Sequence, residues 1–383
     1  MTTGMAVSSP FLPPEKDLWQ YLHDAQKPIV LYGMGNGADK IIRALEEKGL
    51  EVADFFASDG FVRGHTFHGK TVLFYSAVKE KYGSDGFIVL VSFASSLDEV
   101  VSRILTMNDE VELYIPEIPV VQNESATDAE PFDLDYYRAH EEEILKVDAL
   151  FADDRSREVY RSLLRHRLTG NLSDLFAAVD DRDTVYRTIL HPENYLRYAD
   201  LGAYNGDTVR ELLPYAPNLI EAYCMEPDPR NFRKLSEYGN GEERAKVIPL
   251  NFAAYSHRET LSFEVSGNRN ATLKSGTPNG KRRLVEADAL SNLLSGYGSP
   301  KIDYIKFDVE GAEREAIRGC LPTIEKDRPE LLVSLYHRRE DIFALPLLLK
   351  EALDARGLAY DFYLRRFNYF PAWDLNLYAV PKK

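Results

Sequence analysis

The N-terminal part of the chain alternates short apolar runs with stretches whose apolar residues recur at helical spacing. The apolar runs predict strands over Pro28–Tyr32, Val52–Ala57, Thr71–Phe74, Phe87–Ser92 and Val111–Ile115, and the helical patterns predict helices over Ala38–Lys48 and near Leu97–Met107. Strands that alternate with helices form a parallel sheet with helices on its faces. Residues 1–118 are therefore predicted to form a small Rossmann-like domain.

A polar stretch ends this first series. It extends from Pro116 through Asn123–Glu130 to Pro131 and has neither the helical nor the strand period. From Leu134 to about Thr188 the pattern becomes helical and rich in charge. We interpret residues 119–190 as a linker followed by a helical bridge.

A second α/β series occupies residues 191–383. It predicts strands over Leu196–Leu201, Ala222–Met225, Lys246–Leu250, Ile302–Phe307 and Leu331–Leu335, and helices over Thr208–Tyr215, Arg230–Tyr238, Glu313–Cys320 and Ile342–Arg356. The last two strands, Tyr360–Arg365 and Asn376–Val380, have too short a connection for a helical crossover, which predicts an antiparallel hairpin at the sheet edge. The fold class is therefore α/β, with two Rossmann-like domains joined by a helical bridge.

Composition narrows the class of partner. The chain has 61 acidic and 46 basic residues and a formal charge of −15, which repels nucleic acid and anionic membranes. Cys224 and Cys320 lie in apolar stretches and cannot form a disulfide framework, and neither an export signal nor a membrane-spanning run is apparent. We expect a cytoplasmic protein whose partner is a small molecule or a saccharide. Its oligomeric state stays open, and a homo-oligomer is one option.

The strongest chemical signal is the turn Asp200–Thr208, which ends an apolar strand and opens a helix. Its glycines permit a ligand to approach the backbone, and the helix N-terminus favours an anionic group such as a carboxylate. The spacing of Gly202 and Gly206 departs from the dinucleotide fingerprint. Asp200 and Asp207 add negative charge, which disfavours a pyrophosphate and favours a cationic amino-acid ligand.

Two further acidic positions follow predicted strands. Glu226 can accept both hydrogen bonds of a ribose diol, although such a residue is also a common helix cap. Asp308, in the block Tyr304–Glu313, is expected in the same cleft, where open α/β sheets place their ligands. Asp308, Glu310 and Glu313 could alternatively cap the helix that follows them.

Together these residues resemble the FkbM-type methyltransferases, class I enzymes that use S-adenosylmethionine. The resemblance covers at least Asp154–Pro381 and depends on an ordered set of motifs: Asp154–Tyr160, Arg167–Gly170, Glu226–Phe232, Asn251–Ala254, Asp308–Gly311, Arg328–Pro329 and Tyr336–His337. It implies a seven-stranded sheet with a reversed final hairpin, a methionine site at the Asp200–Thr208 turn and a ribose site at Glu226. The candidate cofactor-binding residues are Asp200, Gly202, Ala203, Tyr204, Asn205, Gly206, Asp207, Thr208, Glu226, Pro227, Asn251 and Asp308.

Methyl transfer to a hydroxyl requires an aligned acceptor and a base for its proton. The candidate catalytic residues are His337, Asp308 and Glu310. His337 follows a predicted strand and titrates near neutral pH, but it could equally be a surface or capping residue. In an alternative mechanism, Asp308 and Glu310, with Asp341, hold Mg²⁺ and lower the pKa of the hydroxyl. No metal site is predicted from spacing, and His65 and His68 are interpreted as a loop pair.

Two features concern the acceptor and the N-terminal domain. Four arginines near strand ends could hold an anionic acceptor, or could simply be solvated: Arg338, Arg339, Arg365 and Arg366. The turn Gly33–Gly37 could hold a nucleotide or sugar-nucleotide phosphate, as in small Rossmann-like domains of sugar-modifying enzymes that it resembles, or could serve close packing.

Three functions therefore remain open. The first is O-methylation of a sugar, an oligosaccharide or a natural-product hydroxyl, with acceptor specificity in loops such as Ser266–Arg283. The second is an NAD(H)-dependent reaction at the N-terminal turn. The third is a non-catalytic binding protein that senses nucleotides.

Overall fold

The computed structural model describes residues 11–58, 60, 62, 64–117, 120, 131–264 and 282–382. The N-terminal elements are α1 (Leu18–Ala25), β1 (Ile29–Tyr32), α2 (Asn36–Glu47), β2 (Val52–Ala57), β3 (Thr66–Phe67), β4 (Lys70–Phe74), α3 (Tyr75–Tyr82), β5 (Ile88–Val91), α4 (Asp98–Glu110) and β6 (Glu112–Tyr114). They form a sheet in the order β3-β4-β2-β1-β5-β6, which is parallel except for the β3–β4 pair. The central strands β1 and β5 are buried along their whole length, as a sheet covered on both faces requires.

Between residues 134 and 188, the elements are helices. They are α5 (Leu134–Ala139), α6 (Glu141–Asp148), α7 (Asp154–Thr169), α8 (Leu172–Ala177) and α9 (Arg182–Thr188). The longest, α7, begins where the Asp153 side chain accepts a hydrogen bond from the Ser156 amide, and it ends at Gly170 in the left-handed conformation. The carbonyl of Gly170 accepts a hydrogen bond from the Ile115 amide, so the helical region contacts the N-terminal sheet directly.

The C-terminal elements are β7 (Arg197–Leu201), α10 (Asp207–Leu212), β8 (Glu221–Met225), α11 (Pro229–Gly241), β9 (Lys246–Leu250), β10 (Ala253–Ala254), β11 (Glu259–Glu264), β12 (Arg282–Asp288), α12 (Leu290–Ser295), β13 (Tyr304–Phe307), α13 (Glu313–Asp327), β14 (Glu330–Ser334), α14 (Asp341–Asp354), β15 (Tyr360–Arg366) and β16 (Leu375–Pro381). Seven strands form one sheet in the order β15-β16-β14-β13-β7-β8-β9. Only β16 is antiparallel to its neighbours. The predicted α/β class, the seven-stranded sheet and the final antiparallel hairpin are confirmed.

Some elements were not predicted. These are α1, α3, β3, the helix α12 and a small sheet in the order β10-β12-β11. The polar stretch Asn123–Glu130 and most of the loop Ser266–Arg283 lie outside the described residues.

The largest hydrophobic core connects all three regions. Its fully buried members include Val89 from β5, Leu163 and Leu168 from α7, and Ile305 and Phe307 from β13. The Arg167 guanidinium lies 2.7 Å from the carboxylate of Glu117 and adds a buried ion pair to this contact. The N-terminal and C-terminal sheets therefore share apolar packing through α7. Within the described ranges, no helix is both long enough and apolar enough to cross a lipid bilayer.

Candidate active site

A cavity of about 550 Å³ opens at the carboxyl ends of the strands of the seven-stranded sheet. Strand β7 lies between β8 and β13, so successive crossovers leave it in opposite directions and create a topological switch point. The predicted site residues that line the cavity are Gly202, Tyr204, Asp207, Thr208, Glu226, Pro227, Asp308 and Glu310. The other predicted residues do not line the cavity: Asp200, Ala203, Asn205, Gly206, Asn251 and His337.

Asp200 supports the turn from below. It is fully buried, accepts a hydrogen bond from the Thr208 hydroxyl and lies 3.4 Å from the ammonium of Lys306. Burial raises the pKa of the Asp200 carboxyl, and the charge of Lys306 opposes that effect. The geometry gives Asp200 the role of joining the start of α10 to the sheet.

Close packing explains the two glycines of the turn. Gly202 has a φ of 85°, and a Cβ there would lie 1.8 Å from the carbonyl oxygen of Asp308. Gly206 has a φ of 83°, and its Cβ would lie 2.3 Å from the ring of Tyr238. Both positions exclude a side chain because of neighbouring protein atoms. Packing therefore explains both glycines, and the approach of a ligand to this backbone stays a prediction.

Glu226 is held at the cavity wall by backbone donors. Its Oε2 accepts a hydrogen bond from the Tyr204 amide at 2.9 Å, and its Oε1 accepts one from the Asp228 amide at 2.8 Å. Asn251 donates from Nδ2 to the Glu226 carbonyl and so supports the same corner from behind. Each carboxylate oxygen keeps a lone pair for a further donor. Burial raises the pKa of Glu226 to about 7.

His337 is fully buried among carboxylates. Its Nδ1 lies 3.0 Å from Glu313, and its Nε2 lies 3.5 Å from Asp308 and 3.6 Å from Glu310. Burial alone would lower the pKa of His337, but Glu313, Glu310 and Asp308 outweigh it and raise the pKa to about 10. The imidazole is therefore protonated at neutral pH. Since it also lies behind the cavity wall, the geometry argues against His337 as the base.

Asp308 and Glu310 differ in their electrostatic surroundings. Burial would raise the pKa of Asp308, but Lys306 and His337 hold it below its usual value, and the Tyr336 hydroxyl donates to Asp308 at 2.9 Å. Burial raises the pKa of Glu310 to about 7, with His337 opposing and the neighbouring acids adding to the shift. Glu310 also holds a left-handed φ of 53°, an uncommon conformation for this residue type. Of the candidate bases, Glu310 has the pKa that general-base chemistry near neutral pH requires.

One group of side chains in the described ranges has atoms close enough to share a metal ion: Asp308, Glu313 and His337. It differs from the set predicted for Mg²⁺, because Asp341 accepts a hydrogen bond from the Arg338 amide at 2.7 Å and does not line the cavity. Glu313 accepts from the Val309 amide at 2.9 Å and so also orders the loop before α13. The ring of His68 contacts the carboxylate of Asp39.

The four candidate arginines contact protein groups. Arg365 pairs with Asp153 at 2.5 Å, and Arg366 donates to the carbonyl of Leu175, so both join β15 to the helical region. Arg338 donates to the Gly311 carbonyl, and Arg339 lies over the Tyr136 ring. None of the four lines the cavity. Arg182 does line the cavity. The sequence did not predict this role, because the partner of Arg182, Asp374, is far away in sequence.

The described cavity wall carries more negative than positive side chains. Its carboxylates are Asp207, Glu211, Glu226, Asp308, Glu310 and Asp374, and its cations are Arg182 and Lys306. Such a wall attracts a cationic ligand and repels a pyrophosphate.

The sequence of residues 200–369 matches the family model described as the methyltransferase FkbM domain. This part of the chain is an FkbM methyltransferase domain. The match begins at Asp200 and includes the turn, the Glu226 corner and the Asp308–Glu313 loop. A search of the curated proteins gave no match.

The fold of the whole chain is similar to that of a solved FkbM methyltransferase from Methylobacillus flagellatus KT. The two share 18% sequence identity with a TM-score of 0.67, and the likeness covers 98% of this chain and 96% of that one. Two archaeal fibrillarins align with about half of the chain. The Methanococcus jannaschii protein shows 16% identity, a TM-score of 0.33 and coverage of 51% and 70%. The Aeropyrum pernix protein, solved with natively bound S-adenosyl-L-methionine, shows 15% identity and a TM-score of 0.32. The likeness covers 50% of this chain and 69% of that one.

The FkbM family and the fold support a methyltransferase that uses S-adenosylmethionine. The residues of the FkbM domain fit that cofactor in two respects. Glu226 presents buried carboxylate oxygens with free lone pairs to the cavity, as a ribose diol requires. The acidic wall complements a sulfonium.

The glycine turn of the N-terminal region has a packing explanation. A Cβ on Gly37 would lie 2.2 Å from the Ser92 carbonyl oxygen, and one on Gly33 would lie 2.6 Å from the Phe93 ring. Glycine at these two positions therefore lets the start of α2 lie close to the loop after β5. Neither the NAD(H)-dependent reaction nor the sensing role gains support from the family or the fold.

Proposed function

We propose that the protein is an S-adenosylmethionine-dependent O-methyltransferase that acts on a hydroxyl of a sugar, an oligosaccharide or another natural product. One observation carries the proposal: the cavity at the switch point of the FkbM domain is walled by six carboxylates, and Glu226 is held there by two backbone amides. A cationic nucleoside complements this wall, whereas a dinucleotide would set its phosphates against it.

In this proposal, the turn and the Glu226 corner hold the cofactor. Glu226 accepts hydrogen bonds from the ribose hydroxyls, and Pro227 contributes an apolar contact beside it. Asp207, Tyr204 and Thr208 bind the methionine part, and Asp200 keeps the turn in place through Thr208. S-adenosylmethionine, when bound, supplies a methyl group activated by its positively charged sulfur.

The protein residues supply the proton acceptor. Glu310 lines the cavity and takes the hydroxyl proton on its carboxylate, because its pKa of about 7 is close to neutral pH. Asp308 stays ionised beside Lys306 and orients the acceptor, and Tyr336 fixes the Asp308 side chain. His337 stays protonated and offsets the charge of the carboxylates around it. A magnesium ion at Asp308 stays a hypothesis.

Calorimetry with S-adenosylhomocysteine tests the cofactor site. Glu226→Gln is expected to raise the Kd at least tenfold, because it replaces one acceptor oxygen with a donor. Glu221→Gln, at the outer end of the same strand and paired with Arg197, is the matched control and should leave the Kd within twofold, on the order of 0.4 kcal/mol. NAD(H) should not bind. Unchanged affinity in Glu226→Gln would remove the site assignment.

A further inference from the structure

The cavity continues beyond the cofactor residues to a wall built from two distant parts of the chain. On one side is Ser96, in the loop after β5 of the N-terminal sheet. On the other side are residues between β15 and β16: Phe367, Asn368, Tyr369, Trp373 and Asp374. We name these residues together the acceptor wall.

Backbone hydrogen bonds join the two sides. The Ser95 amide donates to the Phe370 carbonyl at 3.0 Å, and the Phe370 amide donates back to the Ser95 carbonyl at 2.9 Å. The Phe370 side chain is fully buried and meets the edge of Phe176 at a centroid distance of 5.5 Å. The N-terminal domain thus holds one side of the acceptor wall in position.

Two polar atoms of the acceptor wall are buried and have no hydrogen-bond partner: the Asn368 Oδ1 acceptor and the Trp373 Nε1 donor. Neither atom is accessible from the cavity in this structure, but Asn368 and Trp373 both line it, and neither atom has a hydrogen bond to lose when its side chain turns toward a ligand. A hydroxyl can then accept from the indole N–H and donate to the amide oxygen, and adjacent hydroxyls can divide those tasks.

Aromatic rings supply the apolar part of the acceptor wall. The rings of Tyr369 and Trp373 lie 5.6 Å apart at 27°, and Arg182 covers the Phe367 ring at 4.1 Å. Arg182 also pairs with Glu211 at 3.1 Å and with Asp374, so polar groups surround the rings. Rings next to dispersed polar groups complement a molecule with apolar faces and hydroxyls along its edge, which describes a saccharide.

We propose that the acceptor wall binds a saccharide ring, with Trp373 Nε1 donating to it and Asn368 Oδ1 accepting from it, and that Ser96 of the N-terminal domain completes this subsite. The proposal rests on the proposed function, since the bound ring carries the hydroxyl to be methylated. It gives the N-terminal domain a direct part in acceptor recognition.

Tryptophan fluorescence of the full chain tests the subsite. The sequence has two tryptophans, and Trp19 is buried in α1, so Trp19→Phe leaves Trp373 as the sole reporter. We expect a saturable change when neutral mono- and disaccharides are titrated in the presence of S-adenosylhomocysteine, and no change with catechol. A saturable response to catechol and to none of the saccharides would overturn the proposal, as would no response to any probe.

Two variants in this background test the named atoms. Asn368→Ala should raise the saccharide Kd about tenfold, whereas Asn194→Ala, at an exposed amide, should not change it. Ser96→Phe should block the ring from the N-terminal side, and Ser84→Phe, at an exposed turn of the same domain, is its control. Wild-type saccharide affinity in both Asn368→Ala and Ser96→Phe would overturn the assignment.

Calorimetry on the same variants separates the two proposals. S-adenosylhomocysteine affinity should stay within twofold in Asn368→Ala and Ser96→Phe, because neither residue belongs to the turn or to the residues around Glu226 that hold the cofactor. Saccharide binding without S-adenosylhomocysteine binding would remove the proposed function and leave the subsite. The converse would remove the subsite alone.

Discussion

At the scale of single residues, the four ionisable groups next to the loop before α13 have different protonation states because their surroundings differ. Lys306 and His337 keep Asp308 ionised, the carboxylates keep His337 protonated, and burial leaves Glu310 with a pKa of about 7. Of these four groups, only Glu310 is therefore able to exchange a proton near neutral pH while it faces the cavity.

Glu310→Gln tests this assignment. The amide cannot take the hydroxyl proton, so we expect kcat to fall by about 10²–10⁴-fold with little change in S-adenosylhomocysteine affinity. Mass spectrometry of the methylated product gives kcat. Glu325→Gln, at an exposed helical position, should retain full activity. A kcat within about threefold of wild type in Glu310→Gln would show that another group takes the proton.

The same residue predicts a pH dependence. The base must be ionised, and its pKa is raised to about 7, so the active fraction falls tenfold for each pH unit below that value. Plotted as log kcat at saturating S-adenosylmethionine, where Glu226 is already occupied by the cofactor, activity should rise with a slope near one up to about pH 7 and then level off. Glu310→Gln should lose this acidic limb. An unchanged limb in that variant would assign the titration elsewhere.

At the scale of elements, the turn between β7 and α10 depends on packing against the neighbouring strand. Gly202 holds a φ of 85° with its α-carbon against the carbonyl of Asp308, so β7 and β13 approach each other closely at the edge of the cavity. The Asp200–Thr208 turn and the Asp308–Glu313 loop therefore pack directly against each other.

Gly202→Ala should disrupt the packing between the Asp200–Thr208 turn and the Asp308–Glu313 loop. The added methyl meets the Asp308 carbonyl and forces an L-residue into a left-handed conformation, so we expect a loss of about 2 kcal/mol or more in the free energy of unfolding. Gly241→Ala, where a Cβ meets nothing within 4 Å, should change it by less than about 0.5 kcal/mol. Denaturant unfolding measures both. Equal effects would mean that the turn tolerates a side chain.

At the scale of the whole molecule, the two sheets share one apolar core through α7. Val89, Leu163 and Phe307 belong to the same buried cluster, and Gly170 bonds to Ile115 at the junction. The acceptor wall spans the same junction. Separating the chain near residue 190 would therefore expose apolar surface on both pieces.

Calorimetry of the intact chain should accordingly show one cooperative unfolding transition, because a shared core couples the stability of its parts. Residues 191–383 produced alone should bind a hydrophobic dye and lack a sharp transition, since they lose the contacts of β15 with α7. Two well-separated transitions in the intact chain would contradict this coupling. So would a sharp transition in the isolated piece.

Much of the architecture follows from local sequence. The succession of strands and helices along the C-terminal part of the chain was predicted, because burial on both faces of a sheet leaves continuous apolar runs that are visible in the local sequence. The final hairpin followed from the short connection between the predicted strands, from Arg365 to Asn376. The strands β10, β11 and β12 were missed, because in β12 the exposed Leu284 and Glu286 alternate with the buried Val285 and Ala287, which is a weaker signal than a continuous apolar run.

The sequence predicted which residues form the site better than it predicted what each of them does. The motifs Asp200–Thr208, Glu226 and Asp308–Glu310 identify residues that meet at one switch point, since carboxyl ends of parallel strands share one edge. Neighbours far along the chain decide which of these residues faces the cavity, which supports the cavity wall and which carries a proton. Such neighbours are Lys306 beneath Asp200, Glu313 beside His337 and Ser95 beside Phe370. The sequence alone determined periodicity and chemistry, because both are local properties. Burial, charge coupling and the joining of the two sheets were decided only by the tertiary structure, because they arise from contacts between distant residues.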